Sequence, residues 1–253
     1  MIKRMFLSPD SKSGGFESRL IFVAVCVIIA AVLSLLMISA MVFFAHIAGL
    51  RDSQRDNTFL RELSGMWQPR AENEETRQLS VFDMELRQIN PDYIAWITIE
   101  GTAVDYPVVR GSDNIQYLDT SFFGDFNVFG TLFMDYRNVG EFVPHIIIYG
   151  HNSRYGNKFS DLHNFLDERF LTMHNTITLT VNDRVVEYEI FSVRLTDIHD
   201  PAYFLDFSVY GSFFAFAERN GAPAGTEQII TLSTCVTRGD DDERLVVQGF
   251  LRQ

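Results

Sequence analysis

The sequence predicts a mainly β domain, a mostly antiparallel barrel or sandwich with peripheral helices, behind a single N-terminal transmembrane helix. Three observations lead there. Short runs with a period of two recur from Tyr93 to the C-terminus, with few helical stretches between them. One run, Leu20–Ala45, carries no charge over 26 residues. One of the period-two runs, Ile229–Cys235, ends in a thiol.

The uncharged run is long enough to cross a ~30 Å hydrocarbon core, which needs about 20 helical residues. It is too long for the apolar part of a cleaved signal peptide, and no small-x-small site follows the pattern of one. Lys3, Arg4, Lys12 and Arg19 precede it, and Arg51 and Asp52 follow. A positive flank marks the cytoplasmic side, so the rest of the chain is expected outside the cell membrane. The expected divisions are a cytoplasmic N-terminus (1–19), a transmembrane anchor (20–47), an extracellular linker with N-terminal helices (48–90) and the β domain (91–253). A formal net charge of -12 excludes nucleic acid as a natural partner, because phosphate binding needs clustered Lys and Arg.

After the anchor, Phe59, Leu60, Leu63, Met66 and Trp67, then Leu79, Phe82, Leu86 and Ile89, keep helical spacing. Pro69 and the Glu72–Glu75 region interrupt them, so two helices with a break are expected, the second stopped by Asn90-Pro91-Asp92. From Tyr93 the period changes. Ile94–Ile99 and Ala103–Val109 read as strands around the Glu100-Gly101 turn, with Pro107 near an edge. Asn114–Leu118 reads as one helical turn, and Gly130–Asp135 opens another strand. His145–His151 is a buried strand by its continuous apolar run. Lys158–Leu166 looks helical. Thr176–Val181 and Arg184–Thr196 form a hairpin across Asn182-Asp183. Phe207–Asn220 reads as one amphipathic helix ended by Gly221. The Ile229–Cys235 strand and an alternating run from Arg244 to Leu251 close the chain.

The chemistry gathers at three strand ends. Cys26 and Cys235 are the two cysteines, and Cys26 lies inside the proposed span. The outer domain therefore holds one thiol and no disulfide, which in an oxidising exterior points to a reactive nucleophile. A small buried strand residue is the bland alternative for Cys235. A thiol with a pKa near 8.5 needs a lowered pKa or a proton acceptor to react at neutral pH. Of the six histidines, His151 ends a long buried strand, and Gly150 before it is expected to let the backbone turn tightly. A surface turn histidine is the alternative there. Arg244 opens the next strand, beyond the acidic run Asp240–Glu243. If those strands pair, its guanidinium lies beside Cys235 and can hold an oxyanion or a peptide carbonyl. A salt bridge to the acidic loop is the lesser reading. No metal or cofactor is expected: His and Cys lack ligand spacing, and the consecutive carboxylates lack the spacing of a calcium loop.

Thr231-Leu232-Ser233-Thr234-Cys235, Tyr149-Gly150-His151-Asn152 and Arg244-Leu245-Val246-Val247, in their relative order, resemble the signature of sortases, the membrane-anchored transpeptidases of Gram-positive bacteria. Trp96-Ile97, Thr102 to Val109, Asp113-Asn114, Met134-Asp135-Tyr136-Arg137-Asn138, Ile190 to Val193 and the helix-bearing insertion before the cysteine strand resemble class B. The likeness spans residues 80–253. It implies an eight-stranded sortase-type β-barrel and a catalytic set of Cys235, His151 and Arg244. It further implies a substrate groove lined by Asn114, Leu118, Tyr203, Ser233 and Thr234. The thiolate would attack a Thr carbonyl in a C-terminal sorting motif of a secreted surface protein. The thioester would pass to an amine of a peptidoglycan precursor, lipid II or its like. The N-terminal part carries no lid motif of the pilus-building kind, which favours anchoring. Pilus polymerisation, a cysteine peptidase that lets water resolve the thioester, and a peptide-holding module without turnover are the other readings.

Overall fold

The computed structural model describes residues 14–65, 81–140, 143–153, 158–182, 184–236 and 242–252. Contacts divide the chain into two units, Met1–Ala48 and Gly49–Gln253. A single helix, α1 (Gly14–Gly65), contains the uncharged run, whose apolar side chains are exposed, and it is long and apolar enough to cross a membrane. At 1.5 Å per residue, 26 uncharged residues span about 39 Å. Of the two helices expected after the anchor, the first is the continuation of α1 as far as Gly65, and the second is α2 (Val81–Ile89). Met66, Trp67, Pro69, Glu72–Glu75 and Leu79 lie outside the described residues.

Unit 2 is built on eight strands: β1 (Tyr93–Ile99), β2 (Asp105–Val109), β3 (Leu132–Met134), β4 (His145–Tyr149), β5 (Thr176–Val181), β6 (Arg184–Asp197), β7 (Ile229–Cys235) and β8 (Glu243–Leu251). They close into a barrel in the order β1-β2-β3-β4-β7-β8-β6-β5, which removes every exposed sheet edge. Six of the eight pairings are antiparallel, and β2–β3 and β4–β7 are parallel. Period-two alternation turns one face of each strand inward, and Ile97, Val108, Leu132, Ile148, Leu179, Ile230, Leu232, Leu245 and Val247 fill the interior. Phe159, Leu162 and Phe165 pack against this cluster. On the outside, Leu60 of α1 and Phe82 and Leu86 of α2 pack with Tyr93, Trp96 and Phe133.

All of β7 except Cys235 is buried, including Thr231 and Ser233 on the outward face. The reason is cover: α4 (Phe213–Arg219) packs Phe216 and Ala217 with Ile229, and the segment after β6 lies over Thr231 and Ser233. Three local readings are corrected. Phe207–Asn220 is not one helix: a short 3-10 turn, Ser208–Tyr210, ends at Gly211 with φ of 79°, and Ser212 then caps α4 through Ala215 N–H. Lys158–Leu166 is helical only from Ser160, and as a 3-10 turn. Behind it stands α3 (Glu168–Met173), capped by Asp167, which the periodicity did not mark.

Candidate active site

The parallel pairing of β4 with β7 is what assembles the site. Parallel neighbours finish on the same rim, and an antiparallel partner starts there. Tyr149 pairs with Ser233, and Gly150 N–H donates to Ser233 O at 3.1 Å. Continuing that register sets His151 level with Cys235, and Asn152 Nδ2 donates to Cys235 O at 3.0 Å. On the other side of β7, Cys235 and Arg244 are direct partners in the antiparallel β7–β8 ladder. Side chains of such partners stand with Cβ atoms about 4.5–5.5 Å apart. The three residues singled out in the sequence thus border one groove of about 560 Å³. Asn114, Leu118, Tyr203, Ser233 and Thr234 line the same groove.

Cys235 is exposed and His151 is partly exposed. The ring of His151 is held by a short contact, 2.6 Å, between Nε2 and the Leu118 carbonyl. A carbonyl only accepts, so Nε2 carries the hydrogen and Nδ1 is left as the nitrogen that exchanges a proton. Leu118 therefore orients the imidazole through its backbone. Arg244 Nη1 donates to Glu243 O at 2.9 Å, a local contact that keeps the guanidinium at the mouth of the groove. Asp240 and Asp241 of the acidic run lie outside the described residues. Gly150 is not in the left-handed region, so its purpose is space and not a tight turn. A Cβ there would run into Leu132 Cδ2 and stand 2.6 Å from Phe159 Cδ2.

The groove has two walls, each tied to the barrel by buried polar groups. One carries Tyr203 and Phe204. Asp200 takes a two-pronged bond from Arg194 (Nη2 to Oδ1 at 2.6 Å, Nε to Oδ2 at 3.1 Å) and the Ala202 N–H at 2.7 Å. Arg194 Nη1 donates to Gln248 Oε1 at 2.7 Å, and Gln248 Nε2 to Thr231 Oγ1 at 3.0 Å. The Thr231 hydroxyl lies 2.7 Å from His145 Nε2, and His145 Nδ1 donates to Phe204 O at 2.8 Å. Burial pushes the His145 pKa down to about 4, so the ring is neutral and Nε2 accepts from Thr231. Tyr203 completes this wall with a 2.8 Å bond between its hydroxyl and Ser233 Oγ. The second wall carries Asn114, Arg137 and Tyr149, and it meets the first where the Tyr149 and Tyr203 rings lie parallel, their planes 6° apart. Ile198 and Phe133 add apolar lining. His145, Asn152, Arg137, Tyr149 and Gln248 were not picked out as site residues. Arg137 and Tyr149 sat in motifs already noticed, but nothing in their spacing marks them as groove residues. Among the described residues, no three His, Cys, Asp or Glu side chains cluster as metal ligands.

Chemically, the groove offers a thiol, an imidazole with one exchangeable nitrogen, and a planar cation, beside aromatic and amide surfaces that suit an extended peptide. The sortase domain family matches residues 97–252. Sortase B of Listeria monocytogenes is 35% identical over 178 residues, which are 66% of this chain and 72% of that protein. A mutant form of Clostridium perfringens sortase B superposes with a TM-score of 0.66 at 30% identity, over 79% of this chain and 98% of that one. Sortase B from Bacillus anthracis gives 0.67 at 28% identity, over 81% and 99% of the two chains.

Proposed function

The chain belongs to the sortase family of transpeptidases, and on that premise we propose that it cuts a C-terminal sorting motif of secreted surface proteins after Thr and joins the acyl part to a peptidoglycan amine. The Cys235 sulfur attacks the Thr carbonyl carbon while the thiol proton goes to His151. Arg244 holds the oxyanion that forms, as a planar guanidinium. Collapse breaks the C–N bond, and His151 returns the proton to the leaving amine. What remains is a thioester on Cys235. An amine of a lipid II-like precursor then attacks it, His151 takes that proton, and the sulfur leaves as a new amide forms.

Asn114, Leu118, Tyr203, Ser233 and Thr234 contact the sorting peptide. The Leu20–Ala45 stretch anchors residues 91–253 at the outer face of the cell membrane, with residues 1–19 in the cytoplasm. The observation that carries this reading is the register of the ladder: Cys235 opposite Arg244 on one side and level with His151 on the other. The test is a fluorogenic Xaa-Xaa-Xaa-Thr-Xaa peptide library with the full chain in detergent micelles. Mass spectrometry then looks for an acyl adduct on Cys235 from the best-cut peptide. Adding an amine nucleophile is expected to convert that adduct into an amide product. Cleavage with hydrolysed product alone would leave a cysteine peptidase, and no adduct at all would end the reading.

A further inference from the structure

Met134, at the end of β3, is followed by a carboxylate with no exposure at all: Asp135 is 0% exposed. It lies behind the groove wall and not in it, and it accepts five hydrogen bonds. Oδ1 receives Arg137 Nε at 2.8 Å and the Arg137 backbone N–H at 3.0 Å. Oδ2 receives Arg137 Nη2 at 2.7 Å, Asn114 Nδ2 at 3.0 Å and the Tyr149 hydroxyl at 2.9 Å. Burial opposes the charge, but the Arg137, Tyr149 and Asn114 donors outweigh it and hold the carboxyl below its usual range. The five donors belong to three residues, and all three, Asn114, Arg137 and Tyr149, line the groove. Asn114 is pinned at both ends of its amide, because its Oδ1 takes the Tyr136 N–H at 3.0 Å. Among the described residues that leaves its second Nδ2–H for a ligand. Arg137 also lines the groove, with its charge matched by Asp135.

We propose that Asp135 is the positioning residue of the peptide groove, one buried carboxylate that aims the remaining donors of Asn114 and Arg137 at a bound sorting peptide and holds the Tyr149 ring in place beside them. The proposal rests on the reading of this groove as a peptide site. Asp135→Asn tests it at the level of atoms. Its Oδ1 still accepts, but its Nδ2 would face donors on Arg137, Asn114 and Tyr149, and a donor facing donors forces those side chains to turn. Among the described residues the Asp135 carboxylate bonds Arg137, Asn114 and Tyr149 and neither the sulfur nor the imidazole, so binding changes and the chemical step does not.

The experiment uses the full chain in detergent micelles and the best-cut fluorogenic peptide of the Xaa-Xaa-Xaa-Thr-Xaa library. Asp135→Asn is expected to raise KM about tenfold, equivalent to about 1.4 kcal/mol of binding, with kcat within about twofold of wild type. The rate at which iodoacetamide alkylates Cys235, read by mass spectrometry of its peptide, stays at the wild-type value. Tyr149→Phe and Asn114→Ala each raise KM by less, and neither adds its full effect to Asp135→Asn, because the partner is already lost. If Asp135→Asn does not fold, the cycle of Tyr149→Phe with Asn114→Ala decides the matter through the Oδ2 they share. Unmoved KM, fully additive effects, or a fall in kcat with slowed alkylation would each overturn the proposal. Absence of a peptide adduct on wild-type Cys235 would instead sink the transpeptidase reading on which it rests.

Discussion

Lys158 gives a prediction whose size can be worked out from its surroundings. Its side chain is 7% exposed, and its ammonium lies 4.9 Å from the ring centre of Tyr106. Arg61 stacks near the same ring, at 5.5 Å, so two cations share one aromatic. Burial pushes the Lys158 pKa down to about 8 against an ordinary 10.5, even though the Asp56 charge pulls the other way. At 1.36 kcal/mol per pH unit, that difference is about 3 kcal/mol of folding stability withheld while the amine is charged in both states. Above about pH 8 the folded chain releases the proton, whereas the unfolded chain keeps it to about 10.5. The unfolded state then binds more protons, so stability rises with pH. From pH 7.5 to 9.5 the gain is about 2 kcal/mol, or about 4–8 °C in Tm for a domain of this size. Lys158→Met removes the titrating group and keeps the aliphatic stem. Thermal unfolding of both proteins, followed by near-ultraviolet circular dichroism, is expected to show the variant ahead at pH 7.5 and the gap closing toward 9.5. The window stops short of the range near pH 10 where tyrosines ionise in the unfolded chain. Curves that run parallel across it would refute the reasoning.

Cys235→Ala is expected to abolish peptide cleavage and the acyl adduct while leaving Tm within about 2 °C, since the side chain is exposed and the ladder is made by backbone groups. Retained cleavage would remove Cys235 from the mechanism. Arg244→Lys is expected to lower kcat/KM by about 100-fold or more, because one ammonium does not reproduce a planar fork; wild-type rates would reduce Arg244 to a local tether on Glu243. Gly150→Ala is expected to cost about 1–3 kcal/mol through the Leu132 and Phe159 collisions. The same variant displaces His151, so its cleavage rate falls more than its stability; a variant that is cold-stable and fully active would show that the strand end relaxes freely.

Elements that declare themselves by period were legible in the sequence. The Ile229–Cys235 strand, the hairpin of β5 and β6 and the uncharged run in α1 fall where the alternation and composition put them. Cys235, His151 and Arg244 stood out because each sits at a strand end beside turn-forming residues, and the barrel brings the three to one groove. What failed were breaks and short elements. Gly211 interrupts an apolar pattern that continues on both sides of it, so the 3.6 period reads through a residue that in fact turns left-handed. α3 is six residues long, too short for a period to show, and its signal was the Asp167 cap alone.

The wall residues failed for a different reason. Asp135 and Arg137 are two apart at the end of a short strand, and in a sequence such a pair reads as a solvated turn. Its meaning depends on Asn114 and Tyr149 arriving from elsewhere in the chain, which no local pattern encodes. The same holds for the site as a whole. A period of two says which residues face inward but not which strand is the neighbour, and an all-antiparallel barrel would satisfy the alternation equally well. Had β4 run antiparallel to β7, its C-terminal end would lie on the opposite rim, and His151 would stand about a strand's length from the sulfur, roughly 17–20 Å for a typical strand. Parallel pairing requires a long crossover, and the chain supplies one in residues 150–228 between β4 and β7. That crossover is also where Tyr203 and Phe204 come from. The connection demanded by the strand direction and one wall of the groove are thus the same segment, held down by the chain of bonds from Asp200 to His145.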